Sequence, residues 1–211
     1  MHIPDGFLAP QVYIPAYFLD LSLIFYALKS FKEKLKERTV PFIASLSVMS
    51  FIFMSIAVPM PGGTSVHGLG VASISLLFGP WVAFVCISLV LFLQASVFGE
   101  GGVTSFSINS LGIGFIGSLS AYYVYRVLSR FIDDRTAIFI SGFLSTILSA
   151  LFIALVLGLH PYLFTDPSGK PIYFPFKFNV VIPAVLLPHI PVGVGEGLLT
   201  LLVVKTIRSR I

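Results

Sequence analysis

Charged side chains are scarce in this chain. Asp, Glu, Lys and Arg make up 10% of its 211 residues, against 56% hydrophobic residues, and the mean hydropathy is +0.99. A soluble domain carries about 25% charged residues, so that class is excluded. Cysteine occurs once, as Cys86 within an apolar stretch, which excludes a disulfide framework and a cysteine zinc site. No P-loop is present, so the chain is not expected to hydrolyse ATP itself. The H-E-x-x-H and G-x-S-x-G motifs of membrane hydrolases are missing as well. The apolar stretches lack the strict alternation of barrel strands. The net charge of +4 is modest and comes from basic residues at the ends of apolar stretches, so no nucleic-acid partner is expected.

What is present is a series of apolar stretches of about 20 residues, long enough to cross a bilayer as helices. Seven can be drawn, at about 12–28, 41–58, 68–79, 81–98, 106–125, 137–158 and 180–204. The first is read as a retained span, with no cleavable signal, because the residues before it carry no Lys or Arg and include Pro4, Asp5 and Pro10. Pro41 suits the first turn of the second helix. Pro59, Pro61, Gly62 and Gly63 end that helix and build the loop carrying Thr64, Ser65, Val66 and His67.

The stretch 68–98, broken by Gly79-Pro80, is either one kinked span or a hairpin whose first arm is too short to cross by itself. Charge placement favours the hairpin. Cytoplasmic loops collect lysine and arginine. The basic clusters are Lys29, Lys32, Lys34, Lys36 and Arg38; Arg126, Arg130 and Arg135; and Lys205, Arg208 and Arg210. They share one side of the membrane only if two crossings fit between 68 and 98. The expected fold is therefore an all-α membrane bundle of about seven transmembrane helices. It forms a single domain over 1–211, with the amino terminus outside and the carboxyl terminus inside. Loops 59–67, 99–105 and 159–179 then share the outer face. Gly112, Gly114, Gly117 and Ser118, and Gly193, Gly195 and Gly197, are expected at helix–helix contacts.

The chemistry is concentrated at the amino terminus, Met1-His2-Ile3-Pro4-Asp5-Gly6. The amine of Met1 and the amide nitrogen of His2 close a five-membered ring on a metal. That amide nitrogen and the His2 Nδ1 close a six-membered one. Three nitrogens then share a plane, and His67 can supply a fourth. Flat four-nitrogen coordination suits Ni(II) or Cu(II), and low-spin Co(II) also adopts it. The bulk of His2 is expected to block removal of Met1, and Pro4 and Gly6 point to a terminus that turns sharply. The competing reading is that both histidines are ordinary hydrogen-bonding residues.

Gln94, Asn109, Ser110, His189 and Glu196 fall within or beside apolar segments, where polar groups are costly and face the bundle interior. Gln94 and Asn109 are read as structural or supporting groups, since neutral amides are poor partners for a nitrogen-preferring metal. Ser65, Asn109, Ser110 and His189 are candidates to orient the ligands from behind. Glu196 is expected to pair with another polar group. His160 is read as a loop residue, and Gly99-Glu100-Gly101-Gly102 as a flexible outer loop.

Met1-His2-Ile3-Pro4-Asp5-Gly6-Phe7-Leu8 resembles the amino terminus of the CbiM/NikM family, where Met-His-Ile-x-Glu/Asp-Gly-Phe/Tyr-Leu is typical. Pro59-Met60-Pro61-Gly62-Gly63-Thr64-Ser65-Val66-His67 is similar to that family's loop before its second histidine. Gly101-Gly102-Val103-Thr104 with Asn109, and His189-Ile190-Pro191 with Glu196-Gly197, also look like family segments. The chain departs from the pattern at Glu100, where many relatives carry a histidine after Phe-Gly. The resemblance implies the substrate-capture subunit of an energy-coupling-factor cobalt or nickel importer in the cell membrane. It implies metal ligation by the Met1 amine, the His2 amide and imidazole, and the His67 imidazole. The implied partners are a transmembrane coupling subunit, cytoplasmic ATPase subunits and a small accessory membrane subunit.

Co(II) or Ni(II) would be substrate, with no prosthetic group. Binding would displace protons from the amine, the amide and any charged imidazole. Affinity is then expected to fall as pH drops through about 8 to 6. Two alternatives remain at this stage. One is a vitamin-binding subunit of the same transporter type, with a larger aromatic pocket. The other is a small membrane enzyme using His189 and Glu196 as acid and base.

Overall fold

The computed structural model describes residues 1–60 and 64–210, so Pro61, Gly62 and Gly63 of the expected loop lie outside the described residues. Among the described residues there are seven helices: α1 (Pro10–Lys34), α2 (Val40–Ser55), α3 (Val71–Phe78), α4 (Pro80–Phe98), α5 (Phe106–Leu128), α6 (Asp134–Leu163) and α7 (Phe178–Arg208). Five of them, α1 and α4 to α7, are long and apolar enough to cross a membrane. A short hairpin, β1 (Val58–Pro59) with β2 (Ser65–Val66), follows α2, with Val58 opposite Val66 and Pro59 opposite Ser65.

The break at Gly79-Pro80 is where the sequence suggested. Gly79 sits at φ +99°, which L side chains disfavour, and Pro80 opens α4. The arm before it corrects the expectation of two full crossings. At about 1.5 Å per residue, the eight residues of α3 rise only about 12 Å, well short of a hydrocarbon layer about 30 Å thick. The segment 64–70 that precedes α3 is non-helical and packs into the bundle. It is tolerated there because it is enclosed by protein: His67 is 3% exposed and Leu69 0%.

Helix ends also differ from the apolar segments. α1 runs through Lys29, Lys32 and Lys34, which were expected in a loop. Cations in the last turn complement the helix dipole, and their stems extend past the apolar layer. Its bundle-facing residues are Ala16, Asp20 and Ala27, while Phe25 on the opposite face is 79% exposed, as suits contact with lipid. Pro183, Pro188 and Pro191 lie inside a continuous α7.

Small residues do bring helices together. A Cβ on Gly142 of α6 would lie 2.9 Å from the Glu196 carbonyl oxygen, and one on Gly197 of α7 would lie 2.7 Å from that of Phe139. Gly193 is similarly close to Phe143, and Gly112, Gly114 and Gly117 face Phe152, Phe84 and Ser149. Gly195 differs from its neighbours, with no atom within 4 Å of an added Cβ. In α5 the chain widens into a π-helical stretch, Ser110–Ile116, and α4 ends in another, Gln94–Phe98. The second ends beside the 99–105 loop, whereas the first runs toward the other end, where its Phe115 packs on Trp81.

The two ends of the bundle are chemically distinct. At one end Gly79 and Pro80 share a cleft with Ser30 and Lys34, and Arg208 forms an ion pair with Asp134 at 3.2 Å. The opposite end gathers residues 1–9, the β1–β2 hairpin, the 99–105 loop and the 164–177 segment. There Phe7 packs on Phe174 with ring centroids 5.5 Å apart.

Candidate metal centre

Residues 1–9 form a strap laid into the end of the bundle. Met1 and Ile3 are fully buried, so the chain enters the protein by its apolar side chains. Its polar groups are then matched one by one. The Met1 amine donates to the Ser65 carbonyl oxygen, with the Ser65 hydroxyl 3.4 Å away. Asn109 grips the strap on both edges: the Ile3 N–H donates to its Oδ1 at 2.9 Å, and its Nδ2 donates to the Ile3 carbonyl at 3.0 Å. The Ser105 hydroxyl donates to the same carbonyl.

The strap then turns at Asp5-Gly6, with Gly6 at φ +87°. The Asp5 carboxylate accepts from the Thr104 N–H at 2.7 Å, the Thr104 hydroxyl at 2.5 Å and the Val103 N–H at 3.1 Å. Those bonds hold its carboxyl below the usual range although partial burial acts the other way. Finally, the Ala9 N–H donates to His160 Nε2 at 3.2 Å, and His160 Nδ1 donates to the Val156 carbonyl at 2.7 Å.

This fastening brings His2 against His67, with ring centroids 4.3 Å apart and planes 32° apart. His67 Nδ1 is 3.0 Å from the Gly68 carbonyl, which can only accept, so Nδ1 carries the proton and Nε2 keeps its lone pair. The Nε2 atoms of His2, His67 and His189 are all buried with no hydrogen-bond partner among the described residues. Buried polar atoms are normally paired, so the free His67 Nε2 facing the His2 ring marks a place with room for another group. Burial holds the Met1 amine well below its usual value and takes the His2 imidazole down to about 3, with the adjacent amine adding to it. His67 is held far below its ordinary value by burial, then by the amine and the His2 ring, with His189 acting weakly in the same sense. Neutral nitrogen bases are the form that binds a transition metal.

The His67 loop is positioned from behind by α7. Glu196 Oε1 accepts from the Leu69 N–H at 2.5 Å and the Gly70 N–H at 3.1 Å, and Oε2 lies 3.0 Å from the Gly70 N–H. A carboxylate at the start of α3 satisfies donors that the helix cannot. Glu196 is committed to this cap. His189, two turns earlier on α7, bonds the Val185 carbonyl through Nδ1 at 2.7 Å and has no hydrogen bond to Glu196.

The candidates from sequence thus divide. Met1, His2, His67, Ser65, Asn109 and His189 meet at this end of the bundle. Ser110 does not join them, because its hydroxyl pairs with that of Ser88 on α4 at 2.7 Å. His160 is a buried anchor in the last turns of α6 rather than a loop residue. Gly101-Gly102 is a packed wall rather than a loose outer loop: a Cβ on Gly102 would lie 2.4 Å from the Asp5 nitrogen, and one on Gly101 would lie 3.5 Å from His2 Cβ. Asp5, Ser105, Thr104 and His160 were missed as partners of the strap. The similarity of the 101–104 segment to family relatives was the one hint.

No group of three His, Cys, Asp or Glu side chains close enough to hold a metal occurs among the described residues. Any metal here would have to use main-chain nitrogen as well. Asn109→Ala leaves the buried Ile3 N–H without a partner, removes one of the two donors to the Ile3 carbonyl and loosens the strap. It is expected to weaken nickel binding about 10- to 100-fold, as loss of an orienting group does, measured by equilibrium titration of the purified protein.

Long apolar helices around a buried, nitrogen-rich cluster define a multi-pass helical membrane protein. Residues 2–210 match the family described as the cobalt uptake substrate-specific transmembrane region, CbiM, and the chain belongs to that family. It is similar to a putative metal transport protein of Methanocaldococcus jannaschii, with 33% identity over 99% of this chain and 92% of that one. It is 32% identical to the fused nickel transport protein NikMN of Rhodobacter capsulatus over 95% of this chain, and spans 59% of that longer protein. The crystal structure of a truncated transition metal transporter superposes with a TM-score of 0.93 at 35% identity, covering 99% of both chains.

Proposed function

We propose that the chain is the substrate-capture subunit of a cobalt or nickel importer of the energy-coupling-factor type, built as one domain over 1–211. The ion is held by four nitrogens: the Met1 amine, the His2 amide and imidazole, and the His67 imidazole. The observation that carries this reading is the pairing of His2 with His67, whose buried Nε2 has no partner among the described residues, at the end of a strap fastened along its length. The nitrogen-only donor set suits Ni(II) and low-spin Co(II) and disfavours oxygen-seeking ions such as Mg(II). The transport roles named for the relatives point the same way.

The strap end faces outward and the basic end faces the cytoplasm, in line with the lysine and arginine bias. The partners are a transmembrane coupling subunit, cytoplasmic ATPase subunits that supply the energy, and a small accessory membrane subunit. The vitamin-binding alternative loses ground because the orphaned atoms are imidazole nitrogens. The enzyme alternative loses it because Glu196 caps α3.

The test is a paired nickel titration of a chain beginning at a free Met1 and of one with residues added before it. Extension converts the amine into an amide and crowds the packed Met1 position. The extended protein is expected to lose at least about 100-fold in affinity, more than an orienting residue contributes. Equal affinity of the two would refute the terminal chelate.

A further inference from the structure

The nitrogen cluster is reached from a cavity of about 250 Å³ whose lining includes His2, Pro4, Thr64, Ser65, Glu100 and Gly101. His2, only 5% exposed and with an unpartnered Nε2, lines this cavity. Glu100 is the one carboxylate among the lining residues. The nearby Asp5 carboxylate is already engaged by Thr104 and Val103. Glu100 is held in place rather than waving at the surface. Gln94, fully buried, donates from Nε2 to Glu100 Oε2 at 3.1 Å, and the Glu100 N–H donates to the Gln94 carbonyl at 3.0 Å. The π-helical end of α4, which begins at Gln94, sets that spacing. Among the described residues Oε1 of Glu100 has no hydrogen-bond partner. Next along the chain, Gly101 lies against the His2 ring.

Resting on the four-nitrogen reading, we propose that Glu100 is a capture site for the hydrated divalent cation. Its carboxylate takes the ion at the cavity mouth and passes it to the nitrogens behind. In the first step a carboxylate oxygen replaces one water of the hydrated ion, and that water leaves. In the second the amine, the two imidazoles and the His2 amide nitrogen, whose proton departs to solvent, take the four in-plane positions, while the carboxylate and all remaining waters, the axial ones included, leave. A hard oxygen donor suits the aquated ion, and the softer nitrogen set retains it. A charge beside a low-dielectric cleft concentrates counter-ions and raises association rates.

Stopped-flow mixing of nickel chloride with the purified full chain, read at the absorption of planar nickel, tests this with E100Q and E100D. At low ionic strength E100Q is expected to associate about tenfold more slowly, and the gap narrows as salt screens the charge. Dissociation slows with it, because the same carboxylate lies on the way out, and the final spectrum and equilibrium affinity stay near the wild type. E100D keeps the charge on a shorter arm and is expected to fall between the two. It also serves as the readout should E100Q not assemble. Wild-type association in E100Q, or in E100D where E100Q does not assemble, overturns the proposal, as does a deficit insensitive to salt. A changed spectrum overturns it too, since Glu100 would then be a ligand of the bound ion. Failure of the underlying four-nitrogen reading looks different: the wild type itself would lack the planar-nickel absorption.

Discussion

Replacing His67 with alanine is expected to weaken nickel binding at least about 100-fold, the largest single-residue effect in the protein. The reason is the geometry behind the imidazole. His67 sits on a non-helical segment sunk into the bundle, its Nδ1–H bonded to the Gly68 carbonyl and the following backbone tied to Glu196. The free Nε2 is therefore held where the strap delivers His2, at a ring separation of 4.3 Å. No neighbouring side chain replaces it. His189 is the nearest substitute in kind, but it is anchored on α7 by its own bond to Val185. His189→Ala removes a neighbour rather than a donor, and is expected to cost about tenfold, at the low end for orienting groups. Isothermal titration of the two variants separates the roles. Equal losses would contradict the assignment of His67 alone as the fourth ligand.

The second large effect is pH dependence. The sequence suggested that the α-amine and the histidines would all compete with metal between about pH 8 and 6. The structure changes this, because burial holds the Met1 amine and His67 well below their usual values and His2 at about 3. A base whose folded pKa is depressed charges only at lower pH than usual, so these groups compete with metal less than their ordinary values imply. The amide nitrogen of His2 is different. Its proton leaves only when metal arrives, whatever the pH. Where the amine and both imidazoles are neutral, one proton is released for each metal bound, and mass action predicts about a tenfold loss of affinity per pH unit. Steeper loss is confined to lower pH, where the imidazoles begin to charge. Proton release on nickel addition in weakly buffered solution measures the stoichiometry. Two or more protons per metal near pH 7 would mean that the amine or an imidazole is charged in the unloaded protein.

Much of the architecture was legible from hydropathy and punctuation. Apolar runs located the helices, Gly79-Pro80 marked the break before α4, and Pro4 and Gly6 pointed to the turn of the strap. Those signals are local, and bilayer length fixes their scale. The arm before Gly79 already read as too short to cross by itself, but hydropathy could not show where its helix begins, since a buried non-helical segment and a helix of the same composition read alike. The lysines of α1 misled for a related reason: long cationic side chains continue a helix beyond the apolar layer.

The site was half legible. Met1, His2 and His67 carry their chemistry in residue type and position. The groups that hold them do not, because each acts across the fold. Asn109 meets Ile3, His160 meets Ala9, and Glu196 meets the amides of Leu69 and Gly70, each from more than 100 positions away. A buried histidine that anchors a main-chain N–H looks the same in sequence as one in a loop.

The claim at the centre is a flat field of four nitrogens, and the magnetism of bound nickel reports on it directly. Nickel(II) in such a strong planar field pairs its electrons, whereas six-coordinate nickel with oxygen or water ligands keeps two unpaired. A susceptibility measurement by NMR on the nickel-loaded protein is expected to find a diamagnetic ion. A paramagnetic ion would contradict the four-nitrogen site.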